Sequence, residues 1–142
     1  MARFTGNASN QAPLIIQVKS NSSGAGSYGV CFAISVEGQS ATGSASRPCL
    51  YRPSTPGSGT AQTPQVRGRQ AGSVSSCSLI TSFTSSPSLP SVSLGAFNLP
   101  IKVSWMVDPT EGFVFMFGEA IALYQNASGG QLINGALSWE EL

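Results

Sequence analysis

The sequence predicts an all-β fold, a jelly roll or a related β-sandwich, with one long polar loop or arm. Three observations lead there. First, runs such as YGVCFAISV (Tyr28 to Val36) and IKVSWMV (Ile101 to Val107) change polarity at every second residue, the period that places apolar side chains on one face of a strand. Second, seven or eight such short runs are separated by stretches rich in Gly, Pro, Ser and Asn, the spacing of a sandwich or barrel. Third, no segment shows a helical period with caps at its ends.

Taken in order, APLIIQVK (Ala12 to Lys19) is an apolar run with β-branched residues and reads as a strand. In Tyr28 to Val36, the residues Val30, Phe32, Ile34 and Val36 are expected on one face, and Gly29, Cys31, Ala33 and Ser35 on the other. Ser73 to Thr84 is a weaker strand, Ser85 to Pro90 is turn-rich, and Ser91 to Asn98 is a further short strand. Ile101 to Val107 carries Ile101, Val103, Trp105 and Val107 on one face. DPTEG (Asp108 to Gly112) reads as a turn, with Pro109 fixing the bend. Phe113 to Phe117 and Glu119 to Gln125 are strands broken by a bend or bulge at Gly118. NASGG (Asn126 to Gly130) is a turn, and Gln131 to Glu141 closes the chain with Leu137 and Trp139 on one side and Ser138 and Glu140 on the other.

The exception is YRPSTPGSGTAQTPQVRGRQAG (Tyr51 to Gly72), where three prolines and four glycines accompany only two large apolar residues, Tyr51 and Val66. The chain of 142 residues fits a single domain spanning 1–142, and a structureless loop of this length inside a small domain is unusual unless it is functional. We read it as a contact arm that a partner engages.

Composition narrows the function. Hydrophobic residues make up 41% and charged residues only 9%, a balance that suits a turn-rich β protein or one whose surface lies against other chains. A net charge of +1 does not supply the basic stripe of a nucleic-acid binder. The charge is unevenly placed: residues 1–102 hold all seven bases and one acid, Glu37, while residues 103–142 hold five acids and no base. Such asymmetry favours contact between copies or partners, or is simply chance in a charge-poor chain. No apolar run resembles a secretory leader or a membrane span. Three widely spaced cysteines, Cys31, Cys49 and Cys77, do not form a disulfide framework and fit a reducing compartment, where the sequons at Asn7, Asn21 and Asn126 have no meaning.

The motifs for chemistry are weak. GAGSYG (Gly24 to Gly29) has dinucleotide-loop spacing but opens a strand, where phosphate binding needs a helix N-terminus. The chain has no histidine, so nucleophilic catalysis would fall to a serine paired with Lys19 or Lys102, or to a cysteine without an imidazole. Asp108, Glu111 and Glu119 lie close in sequence, as in a carboxylate pair or a hard-cation site, yet a proline turn is an ordinary place for solvated acids. The cysteines lack zinc spacing. Trp105 and Trp139 sit in β alternation and read as core rather than as a sugar platform. Arg47, Arg52, Arg67 and Arg69 bracket or lie within the polar stretch, where guanidinium groups dock on acidic surfaces or serve solubility. We expect no catalytic residues, no cofactor, no metal and no enzymatic activity.

Several segments, in order, resemble a group of small proteins of tailed bacteriophages and prophages. MARFTGNASNQAPLIIQVK is similar to the group's opening, in which Tyr or Phe precedes Thr-Gly-Asn and Gln-Ala leads into a β run. Gly57 to Gly72 resembles its Gly-Thr-Ala-x-Thr-Pro segment, and Ser82 to Ser91 its Thr-x-x-Pro segment through Thr84 and Pro87. Val103 to Phe115, the run near Ile121 to Tyr124 and the ending SWEE (Ser138 to Glu141) resemble its tail. The departures are GSASRPCLYRP (Gly43 to Pro53), where members carry a Trp or a long apolar strand, and Arg67 and Arg69, where members carry an acidic run.

The resemblance implies a virion structural protein with a jelly-roll-like fold, a head cement or decoration protein. It implies a location in the virion after assembly in the bacterial cytoplasm. Its partners would be the major capsid protein and copies of itself, as a dimer or trimer, with no nucleic acid and no membrane. On this reading the contact candidates are Tyr51, Arg52, Gln65, Arg67 and Arg69 of the arm and Trp139, Glu140 and Glu141 of the last strand. The alternatives are a tail- or fibre-associated virion protein and a carbohydrate-binding β-sandwich.

Overall fold

The computed structural model describes residues 2–10, 14–21, 28–38, 48–67, 75–96, 104–107, 113–116, 118–125 and 133–141. They form twelve strands: β1 (Ala2–Asn10), β2 (Leu14–Ser20), β3 (Tyr28–Gly38), β4 (Pro48–Tyr51), β5 (Ser58–Gln62), β6 (Gln65–Arg67), β7 (Cys77–Ser85), β8 (Gly95–Ala96), β9 (Ser104–Val107), β10 (Phe113–Met116), β11 (Ala120–Gln125) and β12 (Ile133–Glu141). The turns expected at Asp108 to Gly112 and Asn126 to Gly130 lie outside the described residues, as does most of GAGSYG.

Every ladder is antiparallel. One sheet runs β10-β3-β12-β1-β6, with β9 also on β3, and the other runs β5-β7-β2-β11-β4-β8. Removing β5, β6 and β7 leaves five strands in the first sheet, with β9 and β10 end to end at one position, and four in the second. Their orders are β1-β12-β3-β9/β10 and β2-β11-β4-β8, which is the jelly-roll arrangement of two interleaved Greek keys. The first and last strands pair over nine positions, from Ala2 opposite Glu141 to Asn10 opposite Ile133.

The remaining strands belong to an insertion between β4 and β8. Inside it, β6 adds to β1 at the edge of the first sheet, while β7 and then β5 add to β2 at the edge of the second. The described part of the polar stretch Tyr51 to Gly72 is therefore not one loop. Tyr51 ends β4, and β5 and β6 extend one sheet each. These strands escape a pattern reading because an edge strand with a wet outer side needs no apolar alternation. Four of the five residues of β5 are exposed.

The core lies between the sheets. Phe4, Phe115, Ile133, Leu137 and Trp139 of the first sheet meet Ile16, Val18, Leu50, Leu79, Ile121 and Leu123 of the second. Each large apolar side chain fully withdrawn from water contributes roughly 1.5–3 kcal/mol. In β1 the inward positions are Phe4, Gly6 and Ala8. The small middle residue is needed because Leu79 of the facing sheet occupies the space that a Cβ on Gly6 would take.

The second sheet is buried on both faces at its centre. Ala120 and Ala122 are as completely covered as Ile121 and Leu123, which explains why β11 reads as an unbroken apolar run. The outer cover comes from the insertion. Gln17 alternates with the core residues Ile16 and Val18, so it points outward, and there it hydrogen-bonds Gly57. Around Gly57, Pro53 and Pro87 are buried. The two arms of this flap are tied by Ser54 N donating to Ser88 O at 2.9 Å and Ser88 N donating to Thr55 O at 2.9 Å.

One sequence expectation changes. The single alternating face over Val30 to Val36 is split by a bulge: Trp139 stands opposite Cys31 and Ser138 opposite Ala33, leaving Phe32 as the extra residue. Positions 34 and 36 then fall in rows with the buried Leu137 and Gly135, whereas position 30 falls in the row of Glu140 and the 41%-exposed Val114. No described ladder pairs β9 with β10. Both pair with β3, end to end along the edge that β12 leaves open. Gly118 adopts φ 80° and turns the chain from one sheet to the other, as its position between two strands suggested.

Candidate contact surface

The residues singled out from the sequence fall into three places. Tyr51 and Arg52 stand at the end of β4. Tyr51 meets Tyr124 edge to face, with ring centroids 6.1 Å apart, a geometry aromatic quadrupoles favour. Arg52 lies 3.6 Å from Glu119, both side chains about 40% exposed. Glu119 also accepts a bond from Met116 N at 2.9 Å, so the acid closes the turn at Gly118 and holds Arg52 beside the tyrosine pair.

Gln65 and Arg67 stand on β6, the outermost strand of the first sheet. Gln65 is opposite Thr5 and exposed, and Arg67 is opposite Arg3. Register places Arg3 in turn opposite Glu140, so positions 140, 3 and 67 form one cross-strand row. Of this row, Glu140 lies beside the buried Trp139 and so on the outward side of β12. This is the one group of candidates that the fold gathers from distant sequence. Arg69 lies outside the described residues.

The three candidates of the last strand separate from one another. Trp139 is fully buried, packed at 6.1 Å and 28° against the ring of Phe4, so its side chain is not on the surface and acts from the core. Glu140 is half-buried on the outward side of β12. Glu141 is turned inward on the chain itself. Its Oε2 accepts from Ser76 N and Ser76 Oγ, both at 2.8 Å, and its Oε1 accepts from Trp139 Nε1 at 3.1 Å and from Ser75 Oγ. Burial disfavours the charge, but the bonds from Ser75, Ser76 and Trp139 outweigh it and hold the carboxyl below the usual carboxylate range. The adjacent Cys77 thiol is pushed well up, by its burial first and by the Glu141 charge second. Cys77 and Cys49 are both buried thiols outside any disulfide.

The sequence reading passed over Gln17, Gly57, Ser75 and Ser76. Gln17 carried one signal, a carboxamide inside the apolar run LIIQV, where a polar side chain requires a partner. The serines carried none, being two among many.

Among the described residues, no group of three or more Cys, Asp or Glu side chains is placed to hold a metal ion, and no helix is long and apolar enough to cross a membrane. Comparisons with protein-family models, with curated proteins and with solved structures find no match to this chain.

Proposed function

We propose that this chain is a structural virion protein of a tailed phage that binds the capsid shell and bridges neighbouring major capsid protein subunits, as a cement or decoration protein does. The ordered sequence resemblance is one support. The observation that carries the reading is the insertion between β4 and β8. The segment from Gly57 onward that bears the resemblance supplies an exposed polar edge strand to each sheet, and Gln17 pins it at its root. A protein that bridges subunits gains from such preset edges, because ordering a loose arm on binding costs affinity. The contacts are Tyr51, Arg52, Gln65, Arg67 and Glu140, with Arg69 in the adjoining segment. The protein resides in the virion, assembles in the host cytoplasm, and forms a dimer or trimer with copies of itself, without cofactor.

Co-sedimentation tests this. Purified protein is mixed with mature capsids that lack it, the particles are pelleted and bound copies are counted. We expect saturation at a fixed multiple of the capsid subunit number. Absence of binding to heads, with binding to purified tails, would move the protein to the tail or fibre. Carbohydrate binding is the weaker alternative, because Trp139 is buried and offers no stacking face.

A further inference from the structure

Three of the four hydrogen bonds on Glu141 join elements that the backbone ladders leave separate. Glu141 ends β12 in the first sheet, while Ser75 and Ser76 lead into β7 of the second. Residues 68–74 connect β6 to this point, so the insertion returns from one sheet to the other where the carboxylate holds it. The grip on the serines is specific to the ionised form. Two of the bonds come from serine hydroxyls, one from a backbone N–H and one from an indole N–H, and a carboxylate accepts all four at once. A protonated carboxyl gives up acceptor capacity and brings a donor into a site already filled with donors.

We propose that Glu141 is an acid-releasable latch, which fixes the return of the insertion and thereby sets the edge strand β6 in position. The latch itself stands on this cluster alone; only its consequence for partner binding rests on the capsid reading. Among the described residues, the charged or titratable groups around the carboxylate are few. β7 presents Cys77, which remains a neutral thiol. The register partners of Glu141 are Ala2 on β1 and Gly29 on β3, which carry no ionisable side chain. The folded carboxyl titrates below its unfolded value, so the latch is closed at neutral pH and opens as pH falls through the folded value.

The test uses the full chain and three readouts. The Trp139 indole N–H resonance, assigned with Trp139→Phe, should titrate in one step below the usual carboxylate range and be shifted at all pH values in Glu141→Gln. At neutral pH, trypsin should cut Glu141→Gln after Arg67 or Arg69 roughly tenfold faster than wild type, the factor expected when charge-assisted bonds are lost. Val92→Ala, at a position 77% exposed and outside the cluster, should be cut like wild type. Far-UV and near-UV circular dichroism should remain native through the indole transition. An indole resonance insensitive to pH, or equal cutting of Glu141→Gln and wild type, would overturn the latch. So would whole-domain unfolding at the pH of the indole step, because the carboxylate would then hold the sandwich rather than the insertion. Capsid pelleting is a separate arm: if wild type fails to bind capsids, the functional reading falls and these three readouts still decide the latch.

Discussion

Gln17 and Gly57, forty positions apart, close a ring of two hydrogen bonds: Gln17 Nε2 donates to Gly57 O at 3.0 Å, and Gly57 N donates to Gln17 Oε1 at 2.9 Å. A side-chain carboxamide here completes a peptide group as a neighbouring strand would. Gln17 is fully buried, so both bonds form away from competing water. Gln17→Ala would leave the Gly57 donor and acceptor unmet and open a cavity. We expect a loss of about 3 kcal/mol in urea unfolding. Gln17→Glu keeps the shape but removes the donor and buries an acid, so its loss should be larger at pH 7 than at pH 4, where the carboxyl protonates and regains a donor. A Gln17→Glu stability that is flat over that interval would show that the site is wetter than the geometry implies.

The same pair shows where the sequence was legible. Period-two runs marked β3, β9 and β12, and an apolar run marked β2, because their inward residues must be large. The sandwich class follows from those elements. The strand order does not, since pairing between β1 and β12 or between β4 and β8 leaves no local trace. β5 and β6 were invisible because edge strands made of Ser, Gly, Thr and Gln look like loop. The candidate site fares likewise: Arg67 and Glu140 share a row only through β1, and Glu141 stands in the sequence as a contact candidate because Ser75 and Ser76 are ordinary residues until the fold brings them to it.

Two glycines should respond in opposite ways. A Cβ on Gly59 would overlap the carbonyl oxygen of Ser82 on the paired strand and sit 3.1 Å from Ile80 Cγ2, at a place where the register already shifts. Backbone cannot step aside cheaply, so Gly59→Ala should cost roughly 1–3 kcal/mol. At Gly118 a Cβ meets nothing within 4 Å, and the constraint is φ 80° alone. Gly118→Asn should therefore cost well under about 1 kcal/mol, and Gly118→Val distinctly more, because Asn tolerates the left-handed region and β-branched residues do not. Thermal melts of the three variants check the order.

At Tyr51 and Arg52, stability and partner binding should separate. An ion pair this exposed contributes at most about 1 kcal/mol, so Arg52→Ala should barely move the melting midpoint. Tyr51→Ala should cost somewhat more, through its contact with Tyr124. If this patch meets the capsid, both variants should lower the number of bound copies or the salt concentration at which they dissociate. Pelleting at wild-type stoichiometry and salt resistance would remove the patch from the contact surface.

Trp139 offers a direct check on the sugar-binding alternative. In a Trp105→Phe background its emission reports on Trp139 alone. Because the indole is fully buried against Phe4, its fluorescence should be blue-shifted, resist acrylamide and iodide, and ignore free monosaccharides. Quenching by sugars in the folded protein would contradict the packing described and restore the carbohydrate reading.

Cys77 should behave as a structural thiol. Only the thiolate attacks a disulfide reagent, and burial beside the Glu141 carboxylate holds this thiol well above its ordinary range. With Cys31 and Cys49 replaced by Ala, labelling of Cys77 by an aromatic disulfide at pH 8 should therefore proceed only through opening of the structure. Its rate should stay level as reagent concentration rises if opening is limiting, or follow the opening equilibrium if reclosing is faster. Adding Glu141→Gln should accelerate labelling, since it removes the charge that opposes the thiolate and loosens the bonds to Ser75 and Ser76 that flank it. Adding Gln17→Leu distinguishes the two routes: it weakens the flap but leaves the carboxylate in place, so labelling should rise only as far as global stability falls. Acceleration by Glu141→Gln beyond its own loss of global stability would place the opening locally, at the start of β7. Acceleration equal to that loss would mean that Cys77 is reached only by whole-domain unfolding.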